Sequence, residues 1–227
     1  MKLLTNRVAL VTGAGTGLGR ATAIQLATEG AQLVLVGRRE NKLKEVATII
    51  SENNGASSVI ISADVTNLED VNRIREQVIA ELGKLDIIIN NAGGTGEFSP
   101  IHDMTYDTWD HTIKLNLYSQ FLMTNAFLPL MRNQQYGRIV SISSVAANVV
   151  LEGLGAYSAA KAGLEGLMRT VALEEEKHNI LVNMFDPGVL KTEQHPLGET
   201  DPATVVHKII KLASLPENSE SGQVIRA

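Results

Sequence analysis

Thr12-Gly13-Ala14-Gly15-Thr16-Gly17-Leu18-Gly19 follows the apolar run Val8-Ala9-Leu10-Val11 and leads into residues 20–29, a stretch of good helix formers. Strand, glycine-rich turn and helix in that order make the first half of a dinucleotide-binding βαβ unit. Gly13 can take the tight turn, Gly17 lets the backbone approach a pyrophosphate, and Gly19 lets the helix pack closely on the sheet. The helix start at Thr16 to Gly19, Leu18 included, then faces the anion. No Lys-Ser/Thr pair follows the glycines, which disfavours the phosphate loop of nucleoside triphosphatases.

Outward from this turn, short β-branched runs alternate with longer segments of helical period. Strands are expected at 7–12, 32–37, 58–63, 85–90, 137–143 and 180–186. Runs such as Val34-Leu35-Val36 and Ile87-Ile88-Ile89 do not alternate with polar residues, so neither face of these strands meets water. This predicts an α/β fold: a doubly wound parallel sheet of the Rossmann kind in three layers, αβα. Asn67 and Asp70 stand where a helix cap and a first-turn acid belong, Gly30 and Gly55 follow helical stretches, and Pro187-Gly188 breaks the chain after the last long strand. With no linker, repeat or low-complexity tract, residues 1–227 are expected to form a single domain.

Composition excludes several function classes. The 227 residues are 44% hydrophobic and 20% charged, with a net charge of −5, so no basic field gathers nucleic acid or an anionic membrane. The absence of cysteine rules out disulfides, thiolate catalysis and zinc–thiolate sites. The five histidines have no paired metal spacing, so no metal is expected, and His195 reads as a solvated loop residue. The first apolar run is too short for a signal segment or a membrane span, which points to a soluble, cytoplasmic protein.

The second strand decides the cofactor. A dinucleotide site usually carries an acid about 20 residues beyond the glycines to bind the ribose 2′-hydroxyl; here the place holds Gly37-Arg38-Arg39. A carboxylate would repel a 2′-phosphate, whereas the Arg38 guanidinium can bind it bidentately and Gly37 leaves room. NADP is therefore expected over NAD, although Thr16 in the glycine loop, in place of a second basic residue, weakens the preference.

The spacing TGxxxGxG resembles that of the short-chain dehydrogenase/reductase family, and further motifs of that family follow in order over nearly the whole chain. They are Asp64-Val65, Asn90-Asn91-Ala92-Gly93, Asn116 in a long helix, Ser144, Tyr157-Ser158-Ala159-Ala160-Lys161, and Pro187-Gly188 with Thr192. The resemblance implies an oxidoreductase that interconverts a carbonyl and a secondary alcohol. In that scheme Tyr157 exchanges the proton, Ser144 (with Ser143 as its rival) holds the substrate oxygen, and Asn116 supports a water relay through Lys161. It also implies that Lys161 binds the nicotinamide ribose, Asp64 and Val65 the adenine, Asn91 to Gly93 the middle of the cofactor, and Pro187, Gly188 and Thr192 the carboxamide.

Tyr157 and Lys161 lie one helical turn apart on the same face, so the ammonium is expected to favour the phenolate. Lowering a tyrosine pKa by ~3 units takes roughly 4 kcal/mol of differential stabilisation. Relatives of this size and motif set make 3-oxoacyl thioesters on acyl carrier protein the leading substrate expectation, with other small ketones, sugars or steroids, or a silent NADP-binding sensor, as alternatives. An acidic carrier would call for a basic patch, for which Arg132, Arg138 and Arg169 are the candidates. Only eight residues, Glu193 to Thr200, follow Thr192 before Asp201-Pro202, so the substrate lid is expected to be short and the pocket open. The ending Gly222 to Ala227 stops inside a strand that pairs subunits in family tetramers. Leu117 to Met131 and Tyr157 to Leu173 suit helix-to-helix packing, so a homodimer or homotetramer is expected, and a monomer in gel filtration would refute it.

Overall fold

The computed structural model describes residues 2–54, 57–193 and 195–227; Gly55, expected to end a helix, lies outside them. In chain order the elements are β1 (Val8–Thr12), α1 (Gly17–Thr28), β2 (Gln32–Gly37), α2 (Glu40–Asn54), β3 (Val59–Ser62), α3 (Leu68–Leu82) and β4 (Ile87–Asn90). They continue with α4 (Tyr106–Ile113), α5 (Ser119–Gln134), β5 (Gly137–Ile142), α6 (Gly155–Glu175), β6 (Ile180–Asp186), α7 (Val206–Ala213) and β7 (Val224–Arg226). The seven strands form one parallel sheet in the order β3-β2-β1-β4-β5-β6-β7.

The unbroken apolar runs are explained by the layers. Ala9, Val11, Ile87 and Ile89 point to a core shared with Leu26 of α1, Val46 of α2 and Ile209 of α7. Leu10 and Ile88 point the other way, against Ile74 of α3, Phe127 of α5 and Leu164 of α6. Each fully buried aliphatic side chain stabilises by about 1.5–3 kcal/mol, so a polar residue on either face would be costly. Helix punctuation follows the sequence closely. Asn67 Oδ1 accepts from the backbone N–H groups of Glu69 (2.8 Å) and Asp70 (3.2 Å), and Gly83 ends α3 at φ 67°.

The helix around Asn116 departs from expectation. Instead of one regular helix, a π-helical turn at Lys114–Tyr118 joins α4 to α5. The buried Asn116 amide donates back to Thr112 O (3.0 Å) and across to Gly94 O (2.8 Å), while its Oδ1 accepts from Gly94 N (3.0 Å). A side chain bonded into its own helix and tied to the loop after β4 opens that turn.

Candidate active site

The chain leaves β1 toward β2 on one side and leaves β4 toward β5 on the other, so a crevice opens between their carboxyl ends. Thr12 and Asn91 staple it. Thr12 Oγ1 accepts from the N–H groups of Asn91 (3.0 Å) and Ala92 (2.9 Å), and Asn91 Nδ2 donates to Thr12 O (2.8 Å) and Gly13 O (3.3 Å). The Asn91 side chain, expected to lie along a cofactor, thus also fixes the glycine turn.

A cleft of about 460 Å³ runs from this turn to Tyr157. Along it lie Gly13, Thr16, Gly17, Leu18, Arg38, Asp64, Val65, Asn91, Ala92, Gly93, Ser144, Tyr157, Lys161, Pro187, Gly188 and Thr192, so all but two of the expected site residues meet in one space. The exceptions line no part of it: Gly19 lies beneath the turn and Asn116 behind Gly93. A Cβ on Gly19 would fall 2.2 Å from Gly13 O and 2.5 Å from Asn91 Nδ2, so helix and turn are in contact there and nothing larger than glycine fits. Gly17 holds φ 53°, and Thr16, the N-cap of α1, makes no side-chain capping bond to the helix. Bare backbone at a helix start, bordered at Gly17 by the Thr192 methyl, fits a pyrophosphate.

One end of the cleft lies at β2 and β3, where the adenosine is expected. Arg38 and Arg39 are exposed beside Gly37. Arg39 Nη2 reaches Thr16 Oγ1 (3.4 Å) and Glu193 Oε2 (2.8 Å). Asp64 Oδ1 accepts from Thr66 N (2.9 Å) and Oγ1 (2.7 Å), and Asp64 N donates to Asp70 Oδ2 (2.7 Å). The Asp64 N–H and the Arg73 guanidinium hold the Asp70 carboxyl below its ordinary range.

At the other end α6 brings Tyr157 and Lys161 beneath the loop after β5. Ser144 and Tyr157 line the cleft together, and Ser144 Oγ accepts from Ala146 N (3.2 Å). Ser143, the rival, points away: its hydroxyl donates to the buried Glu165 (2.7 Å). Lys161 Nζ donates to Ile142 O (2.7 Å) and lies 5.6 Å from the Tyr157 ring centre.

The electrostatics correct one expectation. Burial pushes the Tyr157 phenol above its ordinary value, more than the Ser144 hydrogen bond lowers it, with the Asp186 carboxylate raising it further. Lys161 does not bring it down, because the ammonium is itself buried and its pKa is lowered to about 8, against an upward pull from Asp186. Asp186 is buried at the end of β6 with Oδ1 accepting from Gly188 N (3.0 Å). Sequence reading passed over it because it stands as the last residue of an apolar strand; its place directly before Pro187-Gly188 was the available signal.

The segment after β6 also differs from expectation. It is short, but it folds back on itself: Lys191 N donates to Thr200 O (2.8 Å), and Thr192 and His195 exchange backbone hydrogen bonds (3.2 Å each). A Cβ on Gly17 would meet the Thr192 methyl at 3.2 Å, so the segment rests on the glycine turn. His195 is half-buried and faces the cleft, not solvent alone, because this turn carries it inward. Glu193 and Arg39, unassigned from sequence, face the same cleft. Of the three arginines considered as a basic patch, Arg132 and Arg169 stay about half exposed while pairing with the buried Glu175 and Glu165, and Arg138 is buried on the carbonyls of Leu215 and Asn179. Among the described residues no helix is long and apolar enough to cross a membrane, and no group of three His, Cys, Asp or Glu side chains could hold a metal.

Comparison with known proteins agrees with this architecture. Residues 7–200 match the short chain dehydrogenase family. A 3-oxoacyl-[acyl-carrier-protein] reductase of Synechocystis sp. is 36% identical over 228 residues, covering 100% of this chain and 90% of that protein. A putatitve short chain dehydrogenase structure from Shigella flexneri, complexed with NADP, superposes with TM-score 0.92 at 28% identity over 99% of this chain and 98% of the other. A 7α-hydroxysteroid dehydrogenase complexed with NADH and 7-oxo glycochenodeoxycholic acid gives 0.93 at 28% identity, over 100% and 94%. With the family matched over residues 7–200 and a reductase 36% identical over the whole of this chain, the protein is an oxidoreductase that belongs to the short-chain dehydrogenase family.

Proposed function

We propose that the protein reduces a ketone to a secondary alcohol, or runs the reverse, with NADP(H) as cofactor. The observation that carries this reading is one cleft joining the glycine turn to the Ser144–Tyr157–Lys161 cluster. Bound there, the nicotinamide supplies or takes up the hydride at the carbonyl carbon. The rest is done by side chains of this chain. Tyr157 gives its phenolic proton to the carbonyl oxygen in reduction and recovers one in oxidation. The phenol starts in the protonated form that donation requires, and burial, by raising its pKa, opposes loss of that proton until a charge nearby offsets it. Ser144, which lines the cleft beside the phenol, orients the same oxygen as charge develops on it. Lys161, with a pKa of about 8, sits where it can pass a proton onward and hold a ribose hydroxyl. Asn116 shapes the loop at Gly94 that forms the neighbouring wall.

Arg38 and Arg39 at the end of β2, with no carboxylate in their place, support NADP(H) over NAD(H). A 3-oxoacyl thioester is the first substrate we assign, supported by the similarity to the Synechocystis reductase. Arg138 is buried away from an acidic carrier protein, and Arg132 and Arg169, about half exposed, would receive one only in competition with Glu175 and Glu165. A second reading, an apolar ketone of another class, is favoured by the exposed Phe98, Ile101, Val150, Leu151, Val189 and Leu197 on the loops that follow β4, β5 and β6. Exposed Trp109, Tyr118, Phe121 and Leu173 on the α4–α5 and α6 surfaces support a homo-oligomer.

The test is NADPH and NADH oxidation against acetoacetyl thioesters and a panel of apolar ketones and sugars. We expect kcat/KM at least about tenfold higher with NADPH. A tenfold preference for NADH, or turnover of sugars alone, would overturn the assignment.

A further inference from the structure

The segment after β6 does not only approach Tyr157; it is also clasped to the glycine-turn end of the cleft. Two contacts place it there. The Thr192 methyl lies over Gly17, and the Glu193 carboxylate pairs with the Arg39 guanidinium at 2.8 Å, the same Nη2 that reaches Thr16 of the glycine loop at 3.4 Å. Glu193 is presented by a closed turn: Thr192 and His195 exchange backbone hydrogen bonds, His195 N also donates to Thr192 Oγ1 (3.2 Å), and Lys191 and Thr200 join its base. Both Arg39 and Glu193 line the cleft, and both side chains are 56% exposed, so a ligand reaches the pair directly.

A guanidinium edge that receives a carboxylate cannot at the same time receive a phosphate dianion, and the carboxylate repels that phosphate. We propose that Glu193 is a specificity-determining residue that competes with the cofactor's 2′-phosphate for Arg39. A ribose bearing the phosphate must turn Glu193 out and release the Thr192–Thr200 segment from the glycine loop. An unphosphorylated ribose leaves the clasp closed. The segment therefore reads which cofactor is bound and lowers the NADP(H) preference that Arg38 and Arg39 would otherwise give. This inference rests on the NADP(H) reading above.

The experiment is calorimetric titration of the full chain with 2′,5′-ADP and with 5′-AMP, for the wild type, Glu193→Gln, Arg39→Gln and the double variant. Glu193→Gln is expected to tighten 2′,5′-ADP by about three- to tenfold, the scale of one screened charge contact. Affinity for 5′-AMP should stay within about twofold, and in the Arg39→Gln background the gain should fall below about twofold. Equal gains for both nucleotides, no gain, or a gain undiminished without Arg39 would overturn the competition. If the wild type does not prefer 2′,5′-ADP but Glu193→Gln does, the NADP(H) assignment falls while Glu193 stands as the reason. If neither protein discriminates, both fall; if only the wild type's preference is present and unchanged in the variant, Glu193 alone falls.

Discussion

The two ends of the cleft are built differently. At the glycine turn, backbone meets backbone: Gly19 touches Gly13, and Thr12 and Asn91 tie β1 to β4 with four hydrogen bonds. At the Tyr157 end the neighbouring loops carry exposed apolar side chains, with Val150 at 95% and Leu197 at 96% exposure, while Lys161 is buried. The first end has one geometry its sequence can take, and any added atom collides. The second holds the proposed proton-transfer residues Ser144, Tyr157 and Lys161 beside loops that are free to vary, which is how one fold can serve many substrates.

The largest effect on cofactor binding and stability should come from breaking the rigid end. Gly19→Ala puts a methyl 2.2 Å from Gly13 O. We expect the fold to lose about 1–3 kcal/mol and cofactor affinity to fall roughly a hundredfold, read by thermal unfolding and nucleotide titration. A variant that binds as the wild type does would show that the turn has slack.

A middle effect concerns the polar cluster. Asp186 raises the pKa of both Tyr157 and Lys161. Removing its charge in Asp186→Asn lowers both, so whichever group sets the alkaline limb of reduction, that limb moves to lower pH. With Lys161 starting at about 8, loss of the ammonium should set in closer to neutrality. The pH profile of kcat/KM measures this, and a limb that stays or moves upward would remove Asp186 from the cluster's electrostatics.

The smallest effect belongs to the rim. Leu197→Ser changes an exposed side chain, so stability should shift by less than about 0.5 kcal/mol, while KM for an apolar ketone should rise about twofold. An unchanged KM across apolar substrates would place them elsewhere.

Legibility in the sequence follows the same division. The strands, the Asn67 cap and the glycine turn were readable because each depends on local chemistry: β-branched runs, a capping amide, a residue without Cβ. Ser144 was separated from Ser143 by spacing, and the structure supplies a physical ground, since Ser143 is committed to Glu165. What stayed hidden depended on depth and on contacts distant along the chain. The direction of the Tyr157 shift needed burial, which no spacing gives. The π-helical turn needed the loop at Gly94 that Asn116 grips. The Arg39–Glu193 pair joins residues 154 apart.

The central claim is that Tyr157 passes the proton while the glycine end holds the cofactor independently of it. Tyr157→Phe, assayed for NADPH-dependent ketone reduction and for NADPH affinity on the same preparation, tests it most directly. The account predicts a loss of roughly a thousandfold in kcat with affinity unchanged within about twofold. Turnover within tenfold of the wild type would contradict it.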